Sequence, residues 1–140
     1  MPGNEKNQMG LTGPMNWVEP DDFRIDACED AQSSPGDYGR GFALSIAEQL
    51  RGAGESVLDV VAEDFGQCVV LKRRPYLLWI GCAKERGSTG RWGAFVCAQP
   101  NLLQQWMLAV QLRADIARVQ ARLLELLVTS TGAVELEAVG

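Results

Sequence analysis

The run Tyr76-Leu77-Leu78-Trp79-Ile80-Gly81-Cys82-Ala83 decides the fold. It does not alternate apolar and polar positions, as a strand with one wet face does. It reads as a strand covered on both faces. The basic tip Lys72-Arg73-Arg74 and then Pro75 precede it. Helices can cover one face of such a strand, and its neighbours must say what covers the other.

Working outward, four strand-like runs follow one another: Val57 to Glu63, Gln67 to Arg73, Tyr76 to Lys84 and Trp92 to Gln99. The joints are Asp64-Phe65-Gly66, Arg74-Pro75 and residues 85–90. Joints this short demand antiparallel neighbours, because a parallel crossover needs a dozen residues or more. The four runs therefore form a meander.

Upstream, Phe42, Ile46 and Leu50 recur at helical spacing beside Ala43 and Ala47. Asp37 is the expected N-cap, and Gly52 and Gly54 the expected stop. Phe23, Ile25 and Ala27 alternate with polar residues and predict a further strand. Downstream, Pro100 and Asn101 open a helical region. Leu103, Trp106, Met107 and Val110 share one face, and Ile116, Val119, Leu123 and Leu127 another. A break is expected near 111–114, although one continuous helix over 101–128 is also compatible with the pattern. A short edge strand is expected within 133–139. Residues 1–15 read as a flexible tail and 16–140 as a single domain. The expected fold is α+β: an antiparallel sheet of four to six strands packed with two to three helices.

The chain has 140 residues, enough for a real core. It contains no histidine, which excludes Ser-His-Asp and Cys-His catalysis within the chain, histidine metal ligation and histidine pH switching. The cysteines Cys28, Cys68, Cys82 and Cys97 form no CxxC pair and read as reduced core thiols. No apolar run is long enough to suggest a membrane span, and the N-terminus carries no charged-then-apolar signal. A cytoplasmic location is the expectation. Charge is lopsided: residues 1–64 carry thirteen acidic and four basic side chains, against five and nine in residues 65–140. The net charge of −5 disfavours general nucleic-acid binding. The acidic half suits a basic partner.

Few motifs carry chemistry. The stretch Gly36-Asp37-Tyr38-Gly39-Arg40-Gly41 precedes a helix but matches no phosphate-binding spacing. Glu63 and Asp64 are adjacent carboxylates, yet neighbours in a strand point to opposite faces. Cys68 and Cys82 flank Pro75 symmetrically and are candidate cross-strand neighbours. A nucleophilic Cys82 would need a base or a strong positive field. Lys72, Arg73 and Arg74 read as a solubilising turn. The four tryptophans fit either a core or an interface, with core favoured.

Three segments carry a resemblance: Glu63-Asp64-Phe65-Gly66, Pro75 to Cys82, and Trp92-Gly93-Ala94-Phe95. In them the chain resembles a group of small bacterial proteins with a Glu-Asp-aromatic-Gly step and a PLWIGC-like strand. Similar small domains occur as immunity-type proteins, which inhibit by binding. The pattern spans residues 36–128 and departs at Gln67 and at Gln99-Pro100. The resemblance implies no catalytic residues.

The leading expectation is a non-enzymatic, immunity-type inhibitor that covers the working surface of a basic protein partner, such as a toxin or a nucleic-acid-binding effector. It needs no cofactor or metal and contacts neither membrane nor nucleic acid directly. Its expected contact residues are Asp21, Asp22, Asp26, Glu29, Asp30, Glu63, Asp64, Trp17 and Tyr38. The alternatives are a phage-type inhibitor of a nucleic-acid machine that works by acidic mimicry, as anti-CRISPR proteins do, a structural homodimer joined through its sheet face, and an enzyme using Cys82 or the Glu63/Asp64 pair.

Overall fold

The computed structural model describes residues 11–19, 39–84, 91–132 and 134–137. Among these, seven strands form one antiparallel sheet: β1 (Leu11–Thr12), β2 (Met15–Val18), β3 (Asp59–Glu63), β4 (Gly66–Lys72), β5 (Leu77–Lys84), β6 (Trp92–Gln99) and β7 (Glu135–Glu137). Three helices accompany it: α1 (Arg40–Gly52), α2 (Leu102–Met107) and α3 (Ala109–Thr131). The fold is α+β, as the sequence predicts, with one strand more than the expected range.

The order across the sheet is β3-β4-β5-β6-β2-β7, with β1 also paired to β6. The expected meander is its β3-β4-β5-β6 half, and short joints account for it. At the β3–β4 turn, Gly66 is required, since a Cβ there would sit 2.2 Å from the Cys82 carbonyl oxygen. The other half is non-local: β2 pairs with β6, Asn16 facing Ala94, and β7 closes the edge against β2. Residues 1–10 of the expected tail lie outside the described residues. Within 11–15, Leu11, Thr12 and Met15 pair in the sheet.

Each of the long helices buries one stripe. That of α1 is Phe42, Ala43, Ile46, Ala47 and Leu50. That of α3 is Leu112, Val119, Leu123, Leu126 and Leu127. Both stripes join a single core with Val69, Leu71, Leu78, Ile80, Cys82, Trp92, Ala94, Val96, Ala98 and Val18. Those strand positions share one face, because residues alternate faces along a strand. The long helices thus cover the same face of the sheet.

A polar clasp crosses this core. The Asn16 amide donates to the Ala94 carbonyl at 2.9 Å, while Asn16 and Gln120 exchange side-chain amide bonds of 2.9 and 3.2 Å. Asn16 is fully buried, so each of these bonds offsets a desolvation cost.

Three local expectations change. Gly39, in the left-handed region, precedes α1 directly, and Asp37 lies outside the described residues. The same holds for the strand expected at Phe23, Ile25 and Ala27. The helical break falls at Leu108, not at 111–114, and α3 runs unbroken to Thr131. A bulge between Val70 and Lys72 shifts the β4–β5 register. Cys82 therefore pairs with Gln67 on the core face, whereas Cys68 pairs with Gly81 and faces the other side. They are not the facing pair that their symmetry about Pro75 suggests.

Candidate functional site

The outer face of the sheet carries Trp17, Cys68, Val70, Trp79, Gly81, Gly93, Phe95 and Cys97, as the strand registers require. Among the described residues no helix lies across it. Its aromatic rings pack on one another instead. Trp79 meets Phe95 edge-on with centroids 5.6 Å apart. Phe65, from the β3–β4 turn, lies 5.9 Å from Trp79 and 6.1 Å from Phe95.

Two glycines let the rings lie close to the backbone. A Cβ on Gly81 would sit 2.4 Å from the Phe95 ring, and one on Gly93 would sit 2.8 Å from the Trp17 ring. The Arg91 guanidinium caps Trp17 at 4.9 Å and pairs with Glu135 at 2.8 Å. A cavity of about 260 Å³ opens between Glu63, Phe65, Cys68, Leu77, Trp79 and Gln99. The indole N–H groups of Trp17 and Trp79 are covered and have no hydrogen-bond partner among the described residues. Such groups cost about 1–3 kcal/mol each.

Carboxylates line both edges of this face. Asp59 and Glu63 alternate on edge strand β3, and Glu135 and Glu137 on edge strand β7. Asp59 lies 3.9 Å from Arg73, and Glu135 pairs with Arg91. Glu63, Asp64 and Glu137 are exposed and have no cation partner among the described residues. Three expected contact residues, Trp17, Glu63 and Asp64, thus belong to or border one surface. Asp21, Asp22, Asp26, Glu29, Asp30 and Tyr38 lie outside the described residues.

The three described cysteines, Cys68, Cys82 and Cys97, are poorly placed for chemistry. Burial, with Glu63 and Cys97 nearby, raises the Cys68 thiol to about 12, against a smaller opposing effect of Arg73. Burial also pushes Cys82 and Cys97 up. A nucleophile needs the thiolate, which these environments disfavour. Among the described residues no three acidic, cysteine or histidine side chains gather as metal ligands.

A second polar cluster ties α3 to β4. Lys72 Nζ lies 2.6 Å from Asp115, which also accepts a bond from the Tyr76 hydroxyl and sits 3.6 Å from Arg118. Arg118 continues to Glu55, which Arg122 approaches at 3.7 Å. Burial alone would raise the Asp115 carboxyl, but the bonds from Lys72 and Tyr76, with the charges of Lys72 and Arg118, hold it below its ordinary value. The Tyr76 phenol is pushed up by burial and by Asp115. A raised phenol and a lowered carboxyl suit a structural ion-pair clasp rather than acid–base work. Lys72, expected in a solvated turn, belongs to this clasp.

A third feature is only half legible in the sequence, which gives the helix opening at Asn101 and its apolar face but not where that face points. Asn101 caps α2 in a reciprocal pair with Gln104, and the Gln104 amide also donates to the Pro75 carbonyl at 2.6 Å. This well-anchored helix buries none of its residues. Trp106 and Val110 are each 81% exposed, and Leu102, Leu103 and Met107 between 62% and 65%. Trp106, expected to favour the core, stands in solvent. The helical spacing was the available signal, but a periodic apolar face does not name what it packs on.

The described residues define a compact α+β class: two long helices on one face of an antiparallel sheet and an aromatic outer face. No family model, curated protein or solved structure matches the chain. No helix among the described residues is long and apolar enough to cross a membrane.

Proposed function

We propose that this chain is a non-enzymatic protein-binding protein that inhibits a basic partner by covering its working surface, as immunity-type proteins do, and that the outer sheet face makes the contact. One observation carries the reading: a self-packed aromatic platform, Trp79, Phe95 and Phe65, lies between two carboxylate-lined sheet edges. Aromatic residues dominate binding hot spots, and a charged rim steers a complementary partner. The partner surface this face suits has an apolar centre flanked by Lys and Arg. Glu63, Asp64 and Glu137, which have no cation partner among the described residues, are the strongest candidates for meeting those cations. The acidic N-terminal positions Asp21, Asp22, Asp26, Glu29 and Asp30 extend the same charge preference.

The test begins with co-purification from the native host and proceeds to charge reversal. Glu63→Lys with Glu137→Lys is expected to release the partner from a chain that stays folded. Reversal of the five N-terminal acids tests their share separately. Equal recovery of the partner by the unaltered chain and by Glu63→Lys/Glu137→Lys would remove the outer face from the account.

A further inference from the structure

We infer that the apolar ridge of α2 and the start of α3 docks a second copy of this chain, making the protein a two-fold homodimer. Leu102, Leu103, Trp106, Met107 and Val110 form one continuous stripe across the Leu108 break, and all five are exposed. The helix that presents them is fixed at its start by the Asn101–Gln104 capping box and by the bond to Pro75. The ridge is thus a preorganised surface.

Its size fits a dimer. Five large side chains this exposed offer an area on the order of several hundred Å², at the upper end of what a typical monomer leaves bare. That approaches the roughly 800 Å² per partner of a standard interface.

Its chemistry points to a second copy rather than to another occupant. From Gln99 to Leu112 there is no charged residue. Identical patches meet like against like across a two-fold axis, so an uncharged patch avoids the repulsion that a net charge of −5 would otherwise bring. The polar residues beside the stripe include the amides Gln105 and Gln111, which donate and accept and can therefore pair with their own copies, and the nearest charge, Arg113, folds back onto the Ala109 carbonyl at the end of the ridge. A membrane-surface helix is rich in Lys and Arg on its polar face, whereas α2 has none and the start of α3 has Arg113 alone. The ridge shares no residue with the outer sheet face, so the dimer stands or falls independently of the partner proposed there.

The experiment is sedimentation equilibrium of the full chain at about 50 µM, well above the micromolar Kd of even a weak standard-sized interface, with reductant to prevent disulfide linkage. The unaltered chain is expected at twice its 15.3 kDa mass. Trp106→Glu/Val110→Glu is expected at the monomer mass with an unchanged circular dichroism spectrum, because neither side chain is buried. Leu103→Lys/Met107→Lys, an independent pair, is expected to do the same. An unaltered chain that is monomeric at this concentration overturns the inference and gives the ridge to a different protein or to a lipid surface. Folded variants of both pairs that remain dimeric also overturn it.

Discussion

The two faces of the sheet solve the same problem differently. On one face, aliphatic side chains such as Val69, Leu71, Ile80 and Val96 are sealed by the stripes of α1 and α3. On the other, Trp17 lies against Gly93, Trp79 and Phe95 lie against Gly81, and Phe65 packs on both Trp79 and Phe95. The first face gains its stability from close packing against helices. The second packs half-buried rings edge-on and tilted, close to the backbone at Gly81 and Gly93, with Phe65 exposed beside them. Among the described residues, strands apolar on both sides thus carry helices on one side only, and the helix-free side is where recognition is expected.

The sharpest probe of this contrast is truncation of matched residues. Ile80→Ala, at a fully buried core position, should cost about 3–4 kcal/mol in urea unfolding. Phe95→Ala, half-buried on the outer face, should cost roughly half as much. Equal losses would mean that the outer face is as fully sealed as the core. Next in size is Gly81→Val. The added atoms must displace the Phe95 and Trp79 rings, at about 1–3 kcal/mol. The near-ultraviolet aromatic dichroism should fall while the far-ultraviolet signal holds. Unchanged aromatic dichroism would contradict the close packing of the Phe95 and Trp79 rings on Gly81.

A smaller effect is expected on the helix side. Asp115→Asn weakens the clasp to Lys72, Tyr76 and Arg118 and should cost about 1–2 kcal/mol at neutral pH. The folded carboxyl titrates below its ordinary value of 3.8. Its contribution is therefore fully present above that value and is lost as pH falls through the folded pKa. The Asn variant should show a flatter stability profile across that acid window. An identical slope in both proteins would contradict the clasp.

The meander was legible because short joints and apolar runs leave antiparallel pairing as the only option. The stripes of α1 and α3 were legible from helical periodicity. The helices' common side was not, because strands apolar on both faces fit helices on either. The bulge that parts Cys68 from Cys82 leaves no compositional mark, since it inserts an ordinary residue, Leu71, into an apolar run. The Asn16–Gln120 clasp joins residues more than a hundred positions apart, which no local pattern encodes. At the candidate site, Trp17, Glu63 and Asp64 were chosen by residue type. Phe65, Phe95 and the two glycines become meaningful only once the register stacks them, and the solvent-facing α2 ridge has the same periodicity as a buried one.

The central claim is that the outer face meets the partner, and Phe65 tests it most directly. It is 44% exposed, sits in a turn and forms one wall of the aromatic cavity. Calorimetric titration of the recovered partner should show at least about tenfold weaker binding to Phe65→Lys, a loss of about 1.4 kcal/mol, with binding to Trp106→Glu unchanged. Equal affinity for the unaltered and Phe65→Lys chains would contradict the account.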